Sequence, residues 1–170
     1  ANQGTLFLDP SPSVLKQYDS LVNRQEEGKR SVTPETFTRN GTKVKLLSNV
    51  NLLSDIEFAN ENKAEGIGLY RSEFPFIIRN EFPSEEAQRL IYEKIYSAIG
   101  DDREITLRTL DVGGDKKLPY HRHDEEANPF LGLRAIRFSL KNPAIFKQQL
   151  RAMLRAGAEK ELRIMFPFIS

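Results

Sequence analysis

The chain is 170 residues long and carries 25 Lys plus Arg against 24 Asp plus Glu, a formal net charge of +1 at pH 7 despite 29% charged residues. Such a mixed-sign surface argues against a general nucleic-acid binder, a polybasic membrane anchor and an acidic disordered tail, while 39% hydrophobic residues, with 11 Phe and 5 Tyr, are the composition of a globular protein. The absence of Cys excludes a disulfide framework, a Cys-ligated zinc site, an iron–sulfur cluster and a cysteine nucleophile from these residues, and fits a reducing, cytoplasmic compartment.

No apolar run approaches the ~20 residues of a membrane helix, and Ala1-Asn2-Gln3-Gly4 lacks the features of a signal peptide. Thr5-Leu6-Phe7-Leu8 reads as the last strand of something upstream, stopped by Pro10 and Pro12. Ser11 as N-cap and Pro12 in the first turn open a mostly polar connector helix. Residues 31–42, with Pro34, Gly41 and several threonines, read as a loop or irregular edge.

From Gly41 onward short apolar runs alternate with helical stretches. Lys43–Val50 reads as a strand, and Ser54-Asp55-Ile56-Glu57 as a capping box opening a helix that Gly66 ends at the latest. Ile67–Arg71 is a second strand. A helix opening at Pro83-Ser84-Glu85-Glu86 carries Ala87, Leu90, Ile91, Ile95 and Ala98 and stops at Gly100. Ile105–Leu110 is a third strand. A helix from Asn142-Pro143 presents Phe146, Leu150, Met153 and Leu154 and stops at Gly157, and Leu162–Ile169 is a fourth strand.

This alternation predicts an α/β protein with a parallel sheet. A (β/α)₈ barrel needs ~250 residues, so the pattern predicts a partial (β/α)₈ TIM-type barrel of about four βα units preceded by a linker helix. A complete four-stranded doubly wound sheet is the alternative, though it would leave the apolar Ile164–Ile169 run at an edge.

Three arginines fall where parallel strands put their chemistry: Arg71 ending the second strand, Arg108 near the end of the third, and Arg134 in Gly132-Leu133-Arg134-Ala135. Arginine's planar fork matches phosphate and carboxylate oxygens two bonds at a time, so several converging on one point suit a polyanion such as a small phosphorylated acid. The plainer expectation is that each pairs with a nearby acid: Glu73, Asp111, Glu125 or Glu126. Asp111-Val112-Gly113-Gly114-Asp115-Lys116 is a candidate phosphate nest, with glycine N–H groups open to a ligand and Lys116 adding charge. Gly66-Ile67-Gly68 is assigned to close packing, His121 and His123 to a solvated loop rather than a metal site, and Phe74, Phe76, Ile77 and Ile78 to core or interface. Phe166 and Phe168 are assigned to the barrel wall.

Four motifs, in order and spacing, give the chain a specific resemblance. Gly66–Phe74, Leu107–Lys116 with Leu118-Pro119-Tyr120, Asn128–Arg137 and Leu162–Ser170 resemble the phosphoenolpyruvate-binding barrel of enzyme I of the bacterial phosphotransferase system. The Asp111–Lys116 stretch points to enzyme I rather than to the related dikinases and synthases, and the 144–155 helix looks more like the nitrogen-related than the sugar branch. The resemblance divides the chain into the end of an upstream phosphohistidine domain (1–10), a linker helix and loop (11–42) and the first half of the barrel (43–170).

By this resemblance, phosphoryl groups would pass from phosphoenolpyruvate to a histidine of the same polypeptide and then to a histidine of an HPr-type phosphocarrier protein. Arg71 and Arg108 would bind the phosphate of phosphoenolpyruvate, with Arg134 and Lys116 lining the same site. The family's phosphohistidine would precede Ala1, and its Mg²⁺ carboxylates and proton-donating cysteine would follow Ser170. No catalytic residue or metal ligand is thus expected here, and the piece alone is expected to be inactive. The full-length parent would be a homodimer with no nucleic-acid or membrane partner. Leu133 departs from the bulky aromatic usual in the family. A different class of reading is a non-catalytic module that senses phosphoenolpyruvate or another phosphorylated metabolite.

Overall fold

Apolar residues two apart in short runs, separated by amphipathic helices, fold into strands laid side by side in chain order. A computed structural model describes residues 7–30 (24–30 as backbone), 33, 35–113, 116, 118–121, 128 and 131–169. Contacts divide the chain into two units, 1–33 and 34–170.

The first unit is built on helix α1, Pro12–Arg30. Pro12 has no N–H to lose at the first helical position, and the first intrahelical bond runs from Leu15 N–H to Ser11 O at 3.1 Å. Thr5 and Leu6 of the expected first strand lie outside the described residues; Phe7 and Leu8 form no strand, and the Phe7 ring instead meets Tyr18 edge-on, centroids 6.1 Å apart.

The second unit opens with an antiparallel hairpin, β1 (Thr36–Phe37) and β2 (Lys43–Val44), turned at Gly41 with φ +81°. The expected 43–50 strand is therefore two elements: β2 pairs backward with β1, and only β3, Ser48–Val50, joins the main sheet. There follow α2 (Ser54–Glu61), β4 (Gly66–Arg71), α3 (Phe74–Ile77), α4 (Glu85–Ile99), β5 (Glu104–Arg108), α5 (Ile136–Lys141), α6 (Pro143–Ala156) and β6 (Leu162–Met165). Strands β3-β4-β5-β6 lie in that order and are all parallel. The predicted α/β class with a parallel sheet is observed.

On one face of the sheet Ile67 and Tyr70 of β4, Ile105 and Leu107 of β5, and Leu162 and Ile164 of β6 pack in a single core with Ile56 of α2, Tyr92, Ile95 and Tyr96 of α4, and Met153 of α6. An irregularity in the β4–β5 pairing between Ile67 and Tyr70 lets both point to this side. The side chains that alternate with them, including Glu104, Thr106 and Arg108, project from the other face. There, at the strands' N-terminal ends, the Glu104 carboxylate (1% exposed) receives Lys45 Nζ at 2.7 Å and Arg163 Nη2 at 2.8 Å.

Helix α4 starts as expected, Ser84 Oγ accepting from Ala87 N–H at 3.2 Å, and ends at Gly100 with φ +112°. Its buried face is Gln88, Tyr92, Ile95, Tyr96 and Ile99, while Leu90 is 46% exposed. Amphipathic tyrosines meet the sheet together with Ile95 and Ile99. Helix α6 is likewise rotated: Gln149, Ala152, Met153 and Ala156 are buried and Leu154 is exposed, because small residues let this helix approach closely. Helix α2 forms without the expected Ser54 cap; Asp55 Oδ2 instead accepts from Asn51 and Leu52 N–H at 2.9 and 3.0 Å. Gly66 and Gly68 serve close packing, as a Cβ would come 2.5 Å from Glu104 O and 2.9 Å from Leu47 Cβ respectively. Among the described residues no helix is long and apolar enough to cross a membrane.

Candidate functional site

Strands β4 and β5 end together, with Arg71 and Arg108 as register partners. Residues so paired project from the same face, so two guanidinium-bearing side chains leave the sheet side by side. Past Arg71 the chain enters Ser72 and Glu73, both buried (1% and 3% exposed), and then α3. Past Arg108 it runs through Thr109, Leu110, Asp111 and Val112, all buried. Leu110 and Val112 join Phe76, Leu118 and Phe138 in a second apolar cluster that anchors this segment.

Three cations meet two carboxylates here. Arg108 Nη2 donates to Glu73 Oε1 and lies 3.5 Å from Asp111 Oδ2. Lys116 Nζ stands 3.5 Å from the same Glu73 oxygen and 3.6 Å from Asp111 Oδ2. Arg134 forks onto Asp111, Nε to Oδ1 at 3.0 Å and Nη2 to Oδ2 at 3.4 Å, and its guanidinium carbon lies 4.9 Å from the Phe168 ring centroid. Burial pushes the Asp111 carboxyl pKa up, but the hydrogen bond and charge of Arg134, with the charges of Arg108 and Lys116, outweigh it and hold the group below its ordinary value.

Among the described residues no carboxylate pairs with Arg71. Among the described residues, Arg71, Arg108, Lys116 and Arg134 gather beside Glu73 and Asp111, four cations near two carboxylates. Arg108 Nε is also buried with no hydrogen-bond partner among the described residues. The expected arginine–acid pairs at Glu73 and Asp111 do form, with Arg108 and Arg134; Glu125 and Glu126 lie outside the described residues. Guanidinium groups gathered at one point are suited to receiving an anion such as a phosphate ester.

The expected phosphate nest is different in kind. Gly113 N–H donates to Lys116 O at 3.0 Å and Lys116 N–H to Gly113 O at 3.1 Å, so these two donors close a tight turn and are spent on each other. Gly114 and Asp115 lie outside the described residues. What Gly113 provides is room: at φ +111°, a Cβ on it would come 2.4 Å from Leu133 O and 2.9 Å from Arg134 Cα. The 133–135 segment thereby lies directly against residues 112–113, with Ala135 N–H bonded to Val112 O at 3.0 Å, and this brings Arg134 to Asp111. Leu133 packs on the second apolar cluster.

His121 is not a solvated loop histidine. Its ring packs edge-on against Phe82 and Phe138, centroids 5.9 and 5.1 Å away; His123 lies outside the described residues. Phe76 is core, whereas Phe74 and Ile78 are 43% and 61% exposed. Phe166 meets Phe146 edge-on, and Phe168, read as wall, belongs to the site through Arg134. Gln149 also escaped the sequence reading; its one signal is a polar side chain one residue before the apolar position Leu150 of a helix. No group of three His, Asp or Glu able to hold a metal occurs among the described residues, and both carboxylates of the cluster are engaged by cations.

A sequence model of the family described as PEP-utilising enzyme, PEP-binding domain, matches residues 25–170. The chain is 42% identical over 98% of its length to a phosphoenolpyruvate-protein phosphotransferase of Bacillus sp. (strain S), covering 29% of that protein. It is 42% identical to a protein of the same description from Staphylococcus carnosus (strain TM300) and 39% identical to one from Bacillus subtilis (strain 168), in each case over 98% of this chain and 30% of the relative. The chain thus spans about three tenths of the length of these curated relatives.

Proposed function

Because this chain belongs to the PEP-utilising enzyme family, in its PEP-binding domain, we propose that it forms part of a phosphoenolpyruvate-protein phosphotransferase and holds the phosphate of phosphoenolpyruvate at the Arg71–Arg108 pair. The observation that carries this reading is the register pairing of Arg71 with Arg108 where β4 and β5 end together, with Lys116 and Arg134 gathered on the carboxylates beside Arg108. Arg71 and Arg108 take the phosphate, and Lys116 and Arg134 line the same site. Glu73 and Asp111 hold Arg108, Lys116 and Arg134 in place before the ligand arrives, so little reorganisation is needed when charge moves in the transition state.

In the complete protein the phosphoryl group leaves the enol oxygen of phosphoenolpyruvate for a histidine nitrogen of the same polypeptide, the enolate is protonated to pyruvate, and the group passes on to a histidine of an HPr-type carrier. The four strands in sequential parallel order, with α2, α4 and α6 on one face, are half of a (β/α)₈ barrel whose inner wall is the opposite face. Such a transfer draws on Mg²⁺ to neutralise phosphate charge. The described residues do not fit a magnesium site, since Glu73 and Asp111 are both bound by cations; its ligands belong to other parts of the protein. The complete protein is a cytoplasmic homodimer of the sugar or the nitrogen-related branch.

The test is pyruvate release from phosphoenolpyruvate by the full-length protein carrying Arg71→Ala or Arg108→Ala. Each is expected to lower kcat/KM by about 100-fold or more. Wild-type rates in both variants would remove the phosphate site from this cluster. Phosphoenolpyruvate binding without pyruvate release by the unaltered protein would favour the sensing module.

A further inference from the structure

The side-chain amide of Gln149, 1% exposed on α6, makes three hydrogen bonds at one point behind the strand ends. Its Oε1 accepts from Leu110 N–H at 2.9 Å, and its Nε2 donates to Ser72 Oγ at 3.1 Å and to Tyr92 OH at 3.5 Å. Ser72 sits between Arg71 and Glu73, and Leu110 between Arg108 and Asp111. The β4–β5 ladder stops at the Arg71–Arg108 pair. Beyond that pair Gln149 joins the two segments from the helix side.

The orientation of this amide is imposed from both ends. Leu110 N–H can only donate, so it must meet the carbonyl oxygen. On the other side Pro83 O can only accept, and Gln88 Nε2 donates to it at 2.9 Å; Gln88 Oε1 therefore receives Tyr92 OH at 3.3 Å, which leaves the Tyr92 oxygen to accept from Gln149 Nε2. Burial raises the Tyr92 phenol pKa well above its ordinary value, so it stays a donor at neutral pH. A chain fixed at both ends by backbone groups has one arrangement available, and a buried amide bonded through both its oxygen and its nitrogen is a rigid clasp.

We propose that Gln149 is a positioning residue for the phosphate arginines: by clasping Ser72 and Leu110 it sets the spacing and aim of Arg71 and Arg108, acting through them rather than by touching the ligand. The proposal rests on the phosphoenolpyruvate reading of the site.

The experiment is a double-mutant cycle on pyruvate release in the full-length phosphotransferase, with Gln149→Met, Arg108→Ala and the double variant. Met keeps length and volume and loses all three hydrogen bonds. Gln149→Met is expected to lower kcat/KM by about 10-fold, Arg108→Ala by about 100-fold, and the double variant to fall within about 3-fold of Arg108→Ala. A residue that merely supports the fold would cost the same factor in both backgrounds, and that result overturns the proposal while leaving the phosphoenolpyruvate reading intact. Wild-type activity in Arg108→Ala would instead overturn the reading of the site, and the proposal with it. Should Gln149→Met fail to fold, Ser72→Ala removes one arm of the clasp and enters the same cycle, with the same two outcomes deciding.

Discussion

Arg71 and Arg108 stand opposite one another in the β4–β5 register, two like charges on neighbouring strands of which, among the described residues, only Arg108 has carboxylates for company. Like charges directly opposite in a sheet oppose folding by up to about 1 kcal/mol. Arg71→Ala is therefore expected to leave the unliganded protein as stable as wild type or more stable by that amount, while abolishing the rise in melting temperature that phosphoenolpyruvate gives. Thermal denaturation with and without phosphoenolpyruvate reads both effects. A loss of several kcal/mol in the unliganded variant would show that Arg71 serves the fold instead.

Asp111 makes acid stability depend on this site. Its carboxyl is held below the ordinary value, so its contribution is complete above the unfolded-state pKa of about 3.9 and is lost as pH falls through the folded-state value. The wild-type urea midpoint is expected to drop below pH 4 more steeply than that of Asp111→Asn, which cannot bind the proton. Parallel curves for the two proteins would contradict the assignment.

Gly113→Ala combines a left-handed backbone angle with a methyl group that would come 2.4 Å from the Leu133 carbonyl. Backbone on both sides of the contact leaves no flexible side chain to yield, so the 133–135 segment must move and carry Arg134 off Asp111. A loss of about 1–3 kcal/mol in urea denaturation is expected, together with a raised KM for phosphoenolpyruvate in the full-length enzyme. An unchanged KM would show that Arg134 does not need this close approach.

At the opposite end of the strands, Glu104→Gln leaves Lys45 and Arg163 without their shared carboxylate. Both cations are about half exposed, which tempers the effect of the buried acid. The expected loss is about 1–3 kcal/mol in denaturant midpoint, with kcat and KM for phosphoenolpyruvate unaltered. A change in KM would mean the two ends of the sheet are coupled.

Where a single periodicity governed a segment, sequence was sufficient: α4 with its Ser84 cap, β4 up to Arg71 and the span of α6 all read directly. The faces of α4 and α6 read only in part: Ile91, Ile95 and Met153 face the core as expected, but aliphatic periodicity undervalues Tyr92 and Tyr96 and ignores a buried polar residue such as Gln149. Helices α3 and α5 are four and six residues long, too short for a pattern to repeat. The fourth strand stops at Met165 rather than Ile169 because Pro167 lacks a donor for a ladder and Phe168 takes φ +61°. Of the site, the four cations were legible as strand-end and loop residues. The shared use of Glu73 and Asp111 by Arg108, Lys116 and Arg134 depends on contacts between distant segments, and spacing carries no trace of Gln149 reaching Ser72 and Leu110.

The neighbour-by-neighbour order of the sheet also bears on how the chain acquires its structure. Ser48 pairs with Ile67, Gly66 with Glu104 and Ile105 with Leu162, sequence separations of 19, 38 and 57 residues. Closing the longest of these loops costs only about 1 kcal/mol more than closing the shortest. Each strand, however, finds its hydrogen-bonding edge only after its predecessor has docked. Assembly can thus proceed from β3 toward β6 as the polypeptide is synthesised, and the Arg71–Arg108 pair comes into being one step before the α6 helix arrives to lock it from behind.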